Sequence, residues 1–486
     1  MSKNILLITR EIVPFYYGGI GTLFMSMANL FRRSGHCTGI LTLRPEDFDR
    51  ERFDAYYDDV ALFFLEQVDF RNQARYSPSG GNISSFNLSY SLAVAATFER
   101  IYDTVRPDLV IAPDFGAEAL VLLLQKAAGR YPSTRFLLHL SGGLHESLSI
   151  YEGGAGERFS SELLEPQNRL SCSMENMCLR LVDEIVTPTR VAWLEVAQRL
   201  KITDKVVHQI PNLFAGEIHP QQLPQSSRDR EPVLLFIGRL DRHKGADRLL
   251  QVFIRYLEKY QTGARLVLLG RDCYWKEYEG FFLEQWEGGI PQGYEQAIEF
   301  KGQVDHAQVE EYLATATLCL FPSRWEVFGN VCLEAMAAGV PVFVAQGTGL
   351  EEVIGEELAQ FAVDFSDTET VVDAIDGFLS DTASHEATRK AVRERAIDIV
   401  QSGEVGYAGL VDVASVTKKQ EAACQSAFGE IPTLLGAMND ITRSLEQDMD
   451  RIIEYYGPSE DKVKGIVQCR EKRFFSFLDR IPFFSN

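Results

Sequence analysis

Short apolar runs and amphipathic stretches take turns along the first half of the chain. NILLIT is followed by a glycine-rich turn and the helix-like TLFMSMANLFRRSG. Then come CTGILTL, PDLVIAPD, a helical pattern over AEALVLLLQKAAGR, and the runs RFLLHLS and DEIVTPT. Apolar nearly throughout and separated by helical stretches, these runs predict strands of a parallel sheet covered on both faces. The polar segment GEIHPQQLPQSSRDREP interrupts the alternation and reads as a linker. Beyond it the pattern restarts with VLLFIG, a helix over DRLLQVFIRYLEKY, RLVLLG, a region rich in Trp, Tyr and Gly, IEFKGQV, TLCLFPS and PVFVA. The chain is therefore expected to be α/β, with two consecutive units each compatible with a doubly wound parallel sheet. Their expected bounds are 1–213 and 233–400, with the linker over 214–232.

From about Val416 the alternation stops. Ile431, Leu435, Met438, Ile441, Leu445, Met449, Ile452 and Tyr456 recur every three or four residues, and Gly457 and Pro458 end the run. That spacing predicts one long amphipathic helix, so residues 401–486 are expected to be a helical extension. Its apolar face has two readings, packing on the protein's own surface or on a second copy in a homodimer. The extension closes on KRFFSFLDRIPFFSN, where Lys472, Arg473, Phe474, Phe475, Phe477, Phe483 and Phe484 suit a peripheral membrane contact or a protein partner.

Composition narrows the setting. At 486 residues the chain exceeds one ordinary core, and 45% hydrophobic with 24% charged residues is globular composition. A formal net charge of −21 argues against nucleic acid as the main partner. The opening MSKNILLITREIVPF has an apolar run too short for the core of a signal peptide, and no run approaches the length of a membrane span. The eight cysteines, at 37, 172, 178, 273, 319, 332, 424 and 469, contain no C-x-x-C spacing. A cytoplasmic protein without a metal site, disulfide framework or cofactor is expected.

Chemistry first surfaces in SRWEVFGNVCLEAMAAGVPVF. Here Glu334 lies inside the run Val331, Cys332, Leu333, Ala335, Met336, Ala337 and Ala338, with Glu326 eight positions earlier. A helix is predicted from near Gly329, stopped by Gly339 and Pro341. It is apolar nearly all round, as a buried helix is. An ionised carboxylate there costs several kcal/mol, on the order of the penalties for unpaired buried charge, so Glu334 needs a partner. A buried Arg or Lys is one candidate and a ligand the other. Glu326 stands at the mouth of the same helix, beside the N–H groups around Phe328 to Val331, and either caps the helix or faces the ligand. In LLFIGRLDRHKGADRLL, Arg239 and Lys244 follow the first strand of the second unit, at another carboxyl-end loop. Two cations converging there would suit a diphosphate, Arg239 by its forked donors and Lys244 as a point charge.

The early GGIG loop, GRLDRHKG, and EVFGNVCLEAMAAGVPV with its E-x7-E pair together resemble the retaining glycosyltransferases of family 4, over roughly residues 1 to 415. The resemblance implies the GT-B fold, two Rossmann-like domains facing a cleft. It implies sugar transfer from a nucleotide-diphosphate sugar, a UDP-sugar first, to a hydroxyl acceptor, with retention of configuration and no metal. Arg239 and Lys244 would hold and stabilise the leaving diphosphate, and Glu334 would accept hydrogen bonds from the ribose. Glu326 would sit beside the donor sugar, with backbone groups of Phe328, Gly329, Asn330 and Val331 around it. Gly18, Gly19 and Gly21 would admit the phosphates close to the first domain's backbone. His139, at the end of RFLLHLS, matches a histidine lining the cleft near the sugar's primary hydroxyl, with His145 as the fallback. The loop SGGLHE departs from the family's usual short polar loop. Near the end of the resemblance, residues Tyr407 to Ser415 match a helix that crosses back to the first domain. A rival reading is an inactive nucleotide-sugar-binding subunit or sensor on the same fold.

Three other features weigh less. As a dinucleotide fingerprint the GGIG loop lacks the G-x-G-x-x-G spacing, and the next strand closes on Thr42 and Leu43 rather than an acid. Asp47 and Asp49 have D-x-D spacing but follow a strand of the first unit. Asp114 ends a strand too, and either reaches the acceptor or caps the following helix.

Overall fold

The computed structural model describes residues 2–65, 83–152, 166–216, 218, 231–275, 279–287 and 290–412. The predicted helix over 431–456, the aromatic segment after it and most of the linker lie outside these residues, and with them the expected membrane, partner and dimer contacts. Among the described residues, no helix is long and apolar enough to cross a membrane.

The first sheet has seven strands: β1 (Asn4–Ile8), β2 (Cys37–Thr42), β3 (Ala61–Phe64), β4 (Leu109–Pro113), β5 (Arg135–His139), β6 (Glu184–Thr187) and β7 (Val206–Gln209). They run in the order β3-β2-β1-β4-β5-β6-β7, and every pairing is parallel. The helices between them are α1 (Gly19–Arg33), α2 (Arg50–Asp54), α3 (Ile83–Val105), α4 (Leu120–Ala127), α5 (Leu144–Glu152), α6 (Pro166–Leu181) and α7 (Arg190–Leu200). Alternation along β1 shows why both sheet faces are apolar. Leu6 and Ile8 join one buried cluster with residues of α3, α4 and α6, whereas Ile5 and Leu7 join another with α1.

The second unit repeats the plan with β8 (Val233–Ile237), β9 (Arg265–Leu269), β10 (Tyr274–Trp275), β11 (Gly280–Phe281), β12 (Ile298–Gly302), β13 (Leu318–Phe321), β14 (Val342–Ala345) and β15 (Ala362–Val363). Its main sheet runs β12-β9-β8-β13-β14-β15, and β10 and β11 form a separate antiparallel hairpin. Its helices are α8 (Ala246–Tyr260), α9 (Phe282–Glu287), α10 (His306–Thr315), α11 (Asn330–Ala337), α12 (Gly349–Ile354), α13 (Thr368–Ser380) and α14 (Thr382–Leu410). The expected class, two parallel-sheet α/β domains with helices closing the second, is thus the observed one. Each sheet reverses direction once, between β1 and β4 and between β8 and β13, and such switch points are where open α/β sheets leave a crevice at the strands' carboxyl ends.

The carboxylate-bearing helix behaves as its sequence predicts. Gly329, in the left-handed region at φ 83°, is the N-cap of α11. At the other end Gly339 is left-handed at φ 72°, its N–H reaches the Met336 carbonyl at 2.8 Å, and Val340 N–H reaches Ala335 at 2.9 Å. That is the Schellman stop, and Pro341 prevents any continuation.

Helix α14 ties the two units together. Val392, Ala396 and Ile399 belong to the core of the second, while Tyr407 and Leu410, with Val411 just beyond the helix, belong to a cluster of the first. Arg135 on β5 donates to the Leu410 carbonyl at 3.1 Å. The helix runs unbroken through residue 400, so one rigid element spans both cores. Tyr407 is fully buried and its hydroxyl has no hydrogen-bond partner among the described residues. Its ring is therefore the anchor and its hydroxyl a cost. Tyr407→Ala is expected to lower unfolding free energy by about 3–5 kcal/mol, as large aromatic-to-alanine changes in cores do, whereas Tyr407→Phe loses nothing. Urea denaturation of the two variants checks this.

Candidate functional site

At the end of β8 the chain turns through Gly238 into the loop carrying both cations. Asp241, which is buried, organises that loop: it accepts from Arg239 Nε and from the Lys244 backbone N–H, both at 2.8 Å. Gly245 is left-handed at φ 73°, and a side chain there would overlap the Pro322 carbonyl at the end of β13. The two carboxyl-end loops are therefore in contact, and Lys244 Nζ reaches Glu326 Oε2 across them. A bidentate pair, Arg324 to Asp247 at 2.7 and 2.6 Å, ties the Glu326 loop to the start of α8. Asp241, Arg324 and Asp247 all stand inside the quoted motifs. An acid placed between two cations was the available signal for the first of them.

Glu334 faces a different environment. Part-buried on α11, it has no ion pair or hydrogen bond to its carboxylate among the described residues, where Glu326 has Lys244. Burial raises its pKa, and His306 at the start of α10 works against the rise. Below it, Phe328 is buried in the domain core, while Asn330 and Val331 are part-buried. The backbone N–H groups of Phe328, Gly329, Asn330 and Val331 meet no acceptor among the described residues. Glu326 does not cap α11, since Gly329 holds the N-cap position without a side-chain bond.

The first domain meets this face directly. Asn212 donates to Asn330 Oδ1 at 3.0 Å, and a Cβ built on Gly19 would stand 3.8 Å from Asn330 Nδ2. Gly18 and Gly21 answer to a different neighbour. Glu11 Oε2 accepts from Gly21 N–H at 2.9 Å, and a side chain at Gly18 would overlap the Glu11 carboxylate. Nothing in the sequence pattern assigned Glu11 to that loop. His139 is fully buried, with Nδ1 2.9 Å from Ser141 Oγ and its ring stacked near Tyr407. Burial pushes its pKa down to about 3, opposed by the neighbouring Asn212 amide, so the imidazole is neutral. His145 is likewise depressed, to about 4, by burial and then by Arg199.

Asp114 accepts from the N–H groups of Phe115 and Ser141, each at 2.8 Å, which makes it a brace for the loops after β4 and β5. Glu175 on α6 does the same for Gly116 and Leu144, at 2.7 and 2.8 Å. The departing SGGLHE loop is thus held by two buried acids. Asp49 caps α2 and Asp47 pairs with Arg52, so both acids of the D-x-D spacing serve local contacts.

Residues 220–395 match the family model described as glycosyl transferases group 1. An uncharacterized glycosyltransferase of Methanocaldococcus jannaschii is 31% identical over 154 residues, 32% of this chain and 37% of that protein. Glycogen synthase of Mycobacterium tuberculosis is 27% identical over 397 residues, 81% of this chain and 90% of the enzyme. Across three other matches the chain spans only 36% to 53% of the curated relative's length. Among solved structures, sucrose-phosphate synthase of Thermosynechococcus elongatus superposes with a TM-score of 0.64 at 19% identity, over 84% of this chain and 96% of that one. Anabaena HepE in complex with UDP superposes with a TM-score of 0.58 at 17% identity, over 85% and 100%. At these identities the likeness is one of fold, and the fold is GT-B.

The loop-bracing acids make a pH prediction. Burial raises Glu175 to about 8 and Asp114 to about 7. In the unfolded chain both titrate near 4, so the folded state holds extra protons from there up to pH 7–8 and stability falls as pH rises. His139, His145 and His243, depressed to about 3, 4 and 4, act oppositely but only below their unfolded value near 6.5. Between pH 6.5 and 8 the acids act alone. The melting temperature is expected to fall over that interval, and Glu175→Gln should flatten the slope in a pH series of thermal melts.

Proposed function

We propose that this chain, a GT-B protein whose residues 220–395 form a group 1 glycosyl transferase domain, moves a sugar from a nucleotide-diphosphate sugar to a hydroxyl acceptor. One observation supports the reading most. Glu334 is a part-buried carboxylate without a partner among the described residues, eight positions after Glu326, which pairs with Lys244, and a few after four N–H groups that meet no acceptor among those residues. In this reading hydroxyl donors of a ribose complete Glu334, hydroxyl oxygens of the donor sugar complete the N–H groups, and phosphates complete the cations. That the neighbouring fold of HepE was solved with UDP and glucose favours a UDP-sugar donor.

In the proposed reaction the bond from the sugar's anomeric carbon to the β-phosphate oxygen breaks. The acceptor oxygen bonds the same carbon on the same face, which retains configuration. The acceptor's proton passes to an oxygen of the departing phosphate, and nucleoside diphosphate is released. Arg239 and Lys244 neutralise the charge that grows on the leaving group, so no metal is required for that task. Lys244 is already placed, because Asp241 fixes its backbone and Glu326 its ammonium. Glu326, once Lys244 turns to phosphate, stands beside the sugar. Phe328, Gly329, Asn330 and Val331 offer N–H groups to its hydroxyls, and Gly19 brings the first domain's backbone to the donor side. Gly18 and Gly21 do so only through the loop that Glu11 holds. His139, neutral and buried behind Ser141, supports the cleft wall in this reading.

Incubation with a panel of nucleotide sugars, followed by detection of free nucleoside diphosphate, tests the proposal. Lys244→Ala and Arg239→Ala are each expected to lower kcat by about 10²–10³, the usual effect of removing one charge-stabilising donor, with little change in melting temperature. Glu334→Ala should weaken UDP binding by about tenfold or more in titration calorimetry, since it deletes an acceptor of two hydroxyls. UDP binding by a wild-type protein that releases nothing from any donor would identify a binding subunit instead.

A further inference from the structure

We infer that Thr189 and Glu352 are positioning residues that couple the arrangement of the two domains to the donor loop, an inference that rests on the proposed transfer at that site. Thr189 lies between β6 and α7 and is buried. Its hydroxyl donates to the Val327 carbonyl of the other domain at 2.7 Å, and its oxygen also receives the Ala192 N–H at 3.4 Å as the N-cap of α7. Val327 directly follows Glu326.

The next contact uses the same helix end. Glu352 on α12 accepts from the N–H groups of Arg190 and Val191 at 2.8 and 2.6 Å, and from Gln209 Nε2 at the end of β7 at 3.2 Å. A carboxylate from the second domain thereby satisfies donors that the first turn of α7 cannot satisfy itself, and it meets the positive end of that helix. Helix α12 is in turn fixed within its own domain. Arg395 on α14 donates to the carbonyls of Glu352 and Val353 at 2.9 and 3.0 Å.

The two contacts close a ring around the donor loop. Gly349, the first residue of α12, donates its N–H to the Glu326 carbonyl at 2.8 Å, and it must be glycine because a Cβ would overlap the Val327 carbonyl. The carbonyls of Glu326 and Val327 are therefore gripped from two sides, by α12 within the domain and by Thr189 from across the gap. Glu352 ties those two gripping elements to each other. A rotation of the first domain would move the Val327 carbonyl or leave it without its buried donor, and either shifts the Glu326 carboxylate relative to Lys244. The position of the first domain is thus read out at the reacting end of the donor site. Neither residue touches that end itself.

The test is steady-state kinetics on Thr189→Val, Thr189→Ser and Glu352→Gln, together with fluorine NMR of the full chain labelled with 5-fluorotryptophan. Trp325, adjacent to Glu326, reports the donor loop, and Trp325→Phe assigns its signal among the four tryptophans. Thr189→Val and Glu352→Gln are expected to lower kcat at least tenfold, with donor KM changed less than threefold, and to shift the Trp325 resonance. Thr189→Ser, which keeps the hydroxyl, should restore wild-type values. Wild-type kcat and an unmoved Trp325 signal in both variants would overturn the inference, as would a loss confined to melting temperature. A wild-type chain that turns over no nucleotide sugar would refute the transferase reading alone. The fluorine spectra need no substrate and decide the coupling either way.

Discussion

Three cations at the carboxyl edge of the second sheet are each already in the company of an acid. Lys244 meets Glu326, Arg239 meets Asp241, and Arg324 meets Asp247. In a chain of net charge −21 this is the constraint on which the site depends. Unpaired lysines and arginines brought together by a sheet switch point would repel one another and splay into solvent. Paired ones stay where the loops put them, and Asp241 is itself fixed by the Lys244 backbone N–H. The consequence is a site that is nearly neutral before a ligand arrives. In the proposed function, affinity for a diphosphate comes from exchange, with Lys244 leaving one anion for another.

The first domain applies the same rule to its buried charges. Arg135 holds Glu184 through two bonds while His208 holds it through a third. Burial alone would raise the Glu184 pKa, but these hydrogen bonds outweigh it and hold it at about 2. Arg10 pairs with the buried Glu118, and Arg199 with Glu146. Asp114 and Glu175 have no cation of their own among the described residues, and backbone N–H groups from the loops serve instead. Burial raises both pKa values, and the amide hydrogen bonds oppose the rise without outweighing it. The cleft wall on this side is accordingly built by acids that bind loops, and the loops they bind are those flanking His139.

The fold was legible because a parallel sheet buried on both faces writes continuous apolar runs, and the helices interleaved with them leave little choice of class. The carboxylate-bearing helix α11 was legible for a related reason. Glu334 violates an apolar run, and Gly329, Gly339 and Pro341 mark the ends of that run. What escaped was whatever depends on residues distant in the chain. Glu11 belongs to the glycine loop only because the end of β1 lies against the start of α1, so those glycines admit a carboxylate of the protein's own. His139 reads in sequence as a strand-end polar residue open to a cleft. Tyr407, arriving on α14 from the other domain, is what helps to bury it. Glu352 looks like one acid of the pair Glu351–Glu352 on a surface helix, and only the approach of α7 distinguishes it from its neighbour.

Glu334 and Glu352 make an instructive contrast, since both are part-buried carboxylates on helices at the same sheet edge. Glu352 is completed by three donors from the first domain. Glu334 sits on the next helix back and is completed by none among the described residues. Had the first domain supplied donors to both, the gap would be sealed and the acids structural. Had it supplied donors to neither, nothing would fix the distance across the gap. Satisfying one and leaving the other without a donor among the described residues fixes the distance across the gap while keeping a carboxylate available on the second domain. That carboxylate, together with the Lys244–Glu326 pair and backbone N–H groups that meet no acceptor among the described residues, is what supports the proposed sugar-nucleotide ligand over a protein side chain.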